Sequence, residues 1–183
     1  MKKIIPVILI LIGLGCLGIG IFPLIEMNKG VNESIEQWEE FKSNQSLDNQ
    51  KEYNQDILGM MRITSFDKLI PIRLGTSDSI LKKGAGVDSD TNQIGLVGNS
   101  VIYGHREEIF WNLKHVKIGE SIYIETIDEE LEYRIEEIKV VNPDDEWIYK
   151  ESAESTITLV TCYPFIYMGP TPERYVVKGI LVK

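Results

Sequence analysis

The chain has 183 residues, enough for one domain with its own core and an appendage. Nineteen Lys and Arg against 28 Asp and Glu give a net charge of −9, and no basic run is longer than a pair, which excludes a nucleic-acid groove. No internal repeat or low-complexity tract interrupts the sequence.

Residues Ile4 to Ile25 carry no charge. At about 1.5 Å per residue they are long enough as a helix to span about 30 Å of hydrocarbon, so a transmembrane helix is predicted. The competing cleavable signal peptide fits less well, because the apolar run exceeds the usual core of about 7–15 residues and no A-x-A-like site follows. A lipoprotein reading of Gly13-Leu14-Gly15-Cys16 is weaker still, since Gly13 stands three before the cysteine and the apolar run continues past it. Lys2 and Lys3 precede the span and Glu26 and Glu33 follow it, which leaves the N-terminus cytoplasmic and everything after the span outside. Residues 1–25 are thus expected to be an anchor, 26–55 a juxtamembrane helix and linker, and 56–183 the folded domain.

After Met27 the chain turns polar, but Val31, Ile35, Trp38 and Phe41 recur at helical spacing. They predict a stalk helix that packs on the domain or the membrane surface. Ser43 to Asn54, rich in Asn, Gln and Ser, reads as a linker. Ile57 to Ile63 and Lys68 to Leu74 look like two strands joined at Thr64-Ser65-Phe66-Asp67, with Gly75 ending the second. A short helix is expected over Asp78 to Lys83, capped by Ser77 or Asp78 and closed by Gly84. Ile94 to Val97 and Ser100 to Tyr103 read as a strand pair about Gly98-Asn99, in an order that suits a type II′ turn. Ser121 to Ile127 and Leu131 to Val141 alternate as a hairpin about Asp128-Glu129-Glu130.

The run Thr156 to Thr161 is rich in β-branched residues and predicts a buried strand. Pro164 lacks a backbone N–H, so pairing should stop close to Cys162. Period-two alternation puts Thr158, Val160 and Cys162 on one face, with the thiol at the sheet's rim. A cysteine in an apolar strand is ordinarily a small buried hydrophobe. The only other cysteine, Cys16, lies in the predicted span, so Cys162 has no partner within the chain and stays a free thiol. A nucleophilic thiol needs a base and an anion stabiliser. His105 follows Gly104 at a strand end, whereas His115 reads as a surface or loop residue. Arg174 opens a last strand, Arg174 to Val182. The loop before it holds Pro164, Gly169, Pro170 and Pro172, so a hairpin brings Arg174 to the mouth where Cys162 ends its strand. Without further context Arg174 could equally pair with Glu173.

Thr158-Leu159-Val160-Thr161-Cys162 resembles the TLxTC signature of sortases. Tyr103-Gly104-His105-Arg106 and Arg174-Tyr175-Val176-Val177 resemble that family in order and approximate spacing, and Cys-Tyr-Pro-Phe is most similar to class D. The resemblance covers roughly Asp56 to Lys183. It implies an eight-stranded barrel, in agreement with the eight or so short strands and scant helix read from the pattern. It also implies a cysteine transpeptidase in which Cys162 is the nucleophile, His105 the acid–base and Arg174 the oxyanion donor, with Thr161 and Tyr163 beside the substrate. The implied donor is an LPxTG-like sorting signal on surface proteins, and the implied acceptor a cell-wall peptide amine. No cofactor is expected. Glu107, Glu108, Asp144, Asp145 and Glu146 read as solvated faces rather than a calcium site, so no metal is expected either. A cysteine hydrolase and an anchored binding module with a silent Cys162 are the alternatives; cysteine hydrolases usually place cysteine before histidine, the reverse of the order here.

Overall fold

Residues 4–45, 57–167 and 169–182 are described by the structure, a computed structural model. The first segment is one helix, α1 (Ile4–Gln45). Its stripe packs on the barrel as the spacing predicts: Met27 and Val31 join the main core, and Trp38 is buried with Ile57 and Met60 beside Ile35, Phe41 and Leu69. Ser34 on the same face accepts a 3.0 Å hydrogen bond from the buried Arg73, and Lys42 pairs with Glu125 at 3.1 Å. Helix continues to Gln45, into the predicted Ser43 to Asn54 linker, and the rest of that linker lies outside the described residues.

The uncharged half of α1 is different. Ile10, Leu11, Ile12, Leu14, Leu17, Phe22 and Ile25 are exposed along it. The predicted transmembrane helix is nevertheless not met as such, because among the described residues no helix is long and apolar enough to cross a membrane.

The barrel is built from β1 (Ile57–Ile63), β2 (Phe66–Leu74), β3 (Ala85–Val87), β4 (Gly98–Tyr103), β5 (Ser121–Glu125), β6 (Glu130–Val141), β7 (Ser155–Tyr163) and β8 (Glu173–Leu181). It closes in the order β1-β2-β3-β4-β7-β8-β6-β5. Pairing is antiparallel except for β2 with β3 and β4 with β7. A short helix, α2 (Asp78–Leu81), and a 3-10 turn at Trp111–His115 complete the described elements.

Burial explains the patterns. In β5 only Ile122 and Ile124 face the core, so the strand alternates. β7 is buried on both faces: Ile157 and Leu159 point into the main core, while Val160 packs outside with Val101, Val176 and Ile148 under the β6–β7 connection. A strand covered on both sides has no polar face, which is why Thr156 to Thr161 reads as a continuous run. In β6 a bulge between Ile135 and Glu137 resets the alternation, so that both Ile135 and Ile138 reach the core.

The predicted Ile94 to Val97 strand is not formed. Leu96 and Val97 point to solvent, and Gly95 and Gly98 adopt positive φ of 90° and 121° on either side of them. A side chain at Gly98 would also collide with Asn92. Instead of a hairpin turn, Gly98 and Asn99 begin β4, and the missing barrel strand is supplied by Ala85–Val87, too short and glycine-rich to carry a pattern.

Candidate active site

The three expected residues lie near the end of β7. Cys162 and Arg174 are directly opposed across the antiparallel β7–β8 ladder. On the other flank, β4 runs parallel to β7 with Tyr103 beside Val160 as their last registered pair. Two residues further along both chains, that register carries His105 to the level of Cys162. Gly104 holds the two chains together there, its N–H donating to the Val160 carbonyl at 3.2 Å and its carbonyl accepting from the Thr161 hydroxyl at 2.7 Å. Strands so paired lie about 4.8 Å apart. Cys162 faces Arg174 on β8, and the β4–β7 register, continued two residues, sets His105 on its other flank.

Alternation fixes the face. Val101 and Tyr103 on β4, Val160 on β7 and Val176 on β8 form the cluster outside the barrel, and Cys162 and Arg174 follow in phase at its open end. The thiol is free and half-buried. His105 keeps about 31% of its side chain exposed and turns Nε2 to within 3.7 Å of Asp78 on α2. The Arg174 guanidinium donates to the Thr171 hydroxyl at 3.3 Å and the Glu173 carbonyl at 3.0 Å, so the Glu173 carboxylate is not its partner.

Thr161 and Tyr163 take the opposite face from Cys162. The Thr161 hydroxyl is committed to Gly104. The Tyr163 ring stacks on Tyr175 and meets Phe165 edge-on, while Phe165 in turn contacts Trp111. This aromatic group closes the barrel end beneath the thiol. His115, in the 3-10 turn, is exposed. The glycine before His105 serves close packing rather than a positive φ: a Cβ at Gly104 would lie 2.6 Å from the Phe110 ring.

Several neighbours had no readable signal in the sequence. Asp78 reaches His105 from a helix far back in the chain and also pairs with Lys82 at 3.1 Å. Tyr103 shares a hydrogen bond with Tyr149 from the β6–β7 connection, and Tyr149 reaches Asp88 at 3.4 Å. Burial, then the Tyr149 hydroxyl, push the Tyr103 phenol far above its ordinary range, with Arg174 pulling the other way. Tyr103 therefore stays a neutral group beside Arg174. Glu108, in the loop after His105, has both carboxyl oxygens buried without a hydrogen-bond partner, and burial raises its pKa against the pull of Lys68. Among the described residues no group of three His, Cys, Asp or Glu is placed to hold a metal ion. A cavity of about 250 Å³ on another part of the barrel, lined by Met60, Arg62, Leu69, Tyr123, Glu125 and Glu130, touches none of the expected residues.

Comparison with known proteins agrees with this geometry. The sortase domain family model matches residues 61–182. Sortase D of Bacillus subtilis (strain 168) is 29% identical, over 98% of this chain and 98% of its own. A Clostridium perfringens Sortase D5 transpeptidase structure superposes with a TM-score of 0.65 at 26% identity, covering 86% of this chain and 99% of that one. A Clostridium perfringens sortase C solved with the C-terminal cell wall sorting motif gives a TM-score of 0.62 at 31% identity, over 86% of this chain and 88% of that one. The likeness to class D read from Cys-Tyr-Pro-Phe is supported by Sortase D. With its closed eight-stranded barrel and a free thiol at the end of β7, the chain belongs to the sortase family of cysteine transpeptidases.

Proposed function

We propose that this chain is a membrane-anchored sortase that cleaves an LPxTG-like sorting signal and joins the acyl end of the fragment before the cut to a cell-wall peptide amine. The observation that carries the reading is the placement of His105, Cys162 and Arg174 near the shared end of β4, β7 and β8. The Cys162 sulfur attacks the scissile carbonyl carbon, and the carbonyl oxygen becomes an oxyanion that Arg174 meets with its fork of donors. Collapse breaks the C–N bond, the leaving amine takes a proton from His105, and a thioester remains. An incoming amine attacks that thioester, gives its proton to His105 and releases the sulfur as thiolate, which restores the pair that began the cycle. In this reading Thr161 and Tyr163 border the acyl group through their main chain, since their side chains are engaged by Gly104 and Tyr175.

The anchored state is supported by the uncharged Ile4 to Ile25 run, by Lys2 and Lys3 before it, and by the exposed apolar side chains along this half of α1. With that polarity the barrel stands on the outer face of the membrane. The sorting motif in the sortase C structure supports the substrate class. The test is to incubate the full chain in detergent micelles with a library of LPxTG variants and an amine, reading products by mass spectrometry. Formation of the amide product from some member is expected; cleavage without amine transfer would instead mean a hydrolase, and no reaction at all would remove the substrate class.

A further inference from the structure

Arg106 follows His105 directly, and its side chain is only 9% exposed. A guanidinium is seldom buried unless its charge and donors are matched. Here Nε donates to Glu107 Oε1 at 2.8 Å, Nη1 to the Pro164 carbonyl at 2.8 Å and Nη2 to the Tyr167 carbonyl at 2.8 Å. The carboxylate balances the charge, and the two carbonyls belong to the loop that joins β7 to β8. Two carbonyls of that loop thus converge on one planar group.

The placement relative to the reacting residues is what gives these bonds their meaning. One tie, Thr161 to Gly104, stands just before Cys162 in one chain and just before His105 in the other. A second tie, Arg106 to Pro164, stands just after His105 and two residues after Cys162. Both reactive side chains are therefore bracketed by a pair of rungs. We propose that Arg106 is a positioning residue, the second rung of a brace that keeps His105 level with Cys162 and shapes the loop leading to Arg174. The guanidinium is suited to this because two donors in a fixed plane can reach carbonyls three residues apart at once, which a lysine ammonium on a single flexible stem does not reproduce.

The inference rests on the transpeptidase reading only for its turnover arm. Arg106→Lys, Arg106→Gln and Glu107→Gln are made in the full chain alongside His105→Ala. Two measurements are taken: turnover of a sorting peptide, and the pH profile of iodoacetamide alkylation at Cys162, followed by mass spectrometry on its own peptide and so apart from Cys16. The expected loss in kcat for Arg106→Gln is about 10- to 100-fold with little change in KM, as for a misplacement of about 1 Å. Its alkylation profile should lose the limb that His105→Ala also removes, and Arg106→Lys should recover part of both. The alkylation arm needs no peptide, so it decides the role of Arg106 even if no sorting signal is turned over. Folded variants with an unchanged profile would overturn the proposal. Should Arg106→Gln not fold, the same criterion applied to Arg106→Lys decides it.

Discussion

Cys162, His105 and Arg174 differ in what each loses on substitution. Cys162→Ala removes a half-buried thiol at a strand end, outside the main core cluster, so transpeptidation should vanish while circular dichroism and Tm stay near wild type. A folded Cys162→Ala protein that still made product would refute the assignment. Arg174→Lys keeps a cation and loses the fork, so acylation should slow by about 100-fold or more, corresponding to about 2–4 kcal/mol of transition-state stabilisation. Its pH optimum should not move. His105→Ala should instead abolish the bell-shaped pH dependence. Single-turnover acylation across pH 5–10 separates the two, because an unmoved bell in His105→Ala would assign the proton transfer elsewhere. The placement of Cys162 and Arg174 at facing strand ends was legible from Pro164 and the turn residues between them, whereas the roles given to them and to His105 came from the family resemblance. Asp78, Tyr149 and Arg106 were not legible, since their roles come from contacts between remote segments, or, for Arg106, from carbonyls that no sequence pattern displays.

One residue of β4 ties the β6–β7 connection to the barrel's outer face beside the packing of Ile148. The Asn99 amide donates to the Ile148 and Lys150 carbonyls at 2.9 and 3.2 Å, and its oxygen accepts from Thr158 at 2.7 Å. Asn99→Ala leaves these groups unpaired and should cost about 2–4 kcal/mol, read from urea melts. It should also loosen Tyr149 from Tyr103, lowering turnover beyond what the stability change explains. The sequence shows why this element was misread. Gly98-Asn99 is a good turn signal by composition, and the tertiary bonds of Asn99 override it. Conversely, β1 was legible to the residue, because its pattern and its flanks agree with the burial it attains. The β5–β6 hairpin was legible without a turn glycine; Thr126 and Glu129 close it with backbone and hydroxyl bonds.

For the molecule as a whole, α1 is part of the fold. A chain starting at residue 26 retains Val31, Ile35 and Trp38, whereas one starting at residue 56 exposes Ile57, Met60 and Leu69. The shorter chain should therefore melt well below the longer one, and Trp38→Ala in the full chain should cost about 3–5 kcal/mol. Equal melting of both truncated chains would show that the packed half of α1 contributes nothing. Burial also sets the alkaline limit. It raises the phenols of Tyr103, Tyr133 and Tyr175 above 10.0, so the folded state holds these protons more tightly than the unfolded chain. Their stabilisation is complete below the unfolded value and is lost as pH climbs through the folded ones. Lys178, lowered by burial from 10.5, has the opposite sign and adds stability with rising pH up to that value. The net fall in urea midpoint is expected above about pH 10.5, and Tyr103→Phe should flatten it.

α1 has one more property that follows from its continuity. Its uncharged half and its Trp38 half belong to one continuous helix from Ile4 to Gln45. They are consequently phased like two marks on a screw, and each inserted residue turns one against the other by about 100° while lengthening the shaft by about 1.5 Å. Four inserted residues nearly restore the phase and add about 6 Å of height; two leave the thiol facing almost the opposite way. The chain thus carries its barrel at a set bearing as well as a set distance, and insertions between Glu26 and Gly30 would dial the two separately.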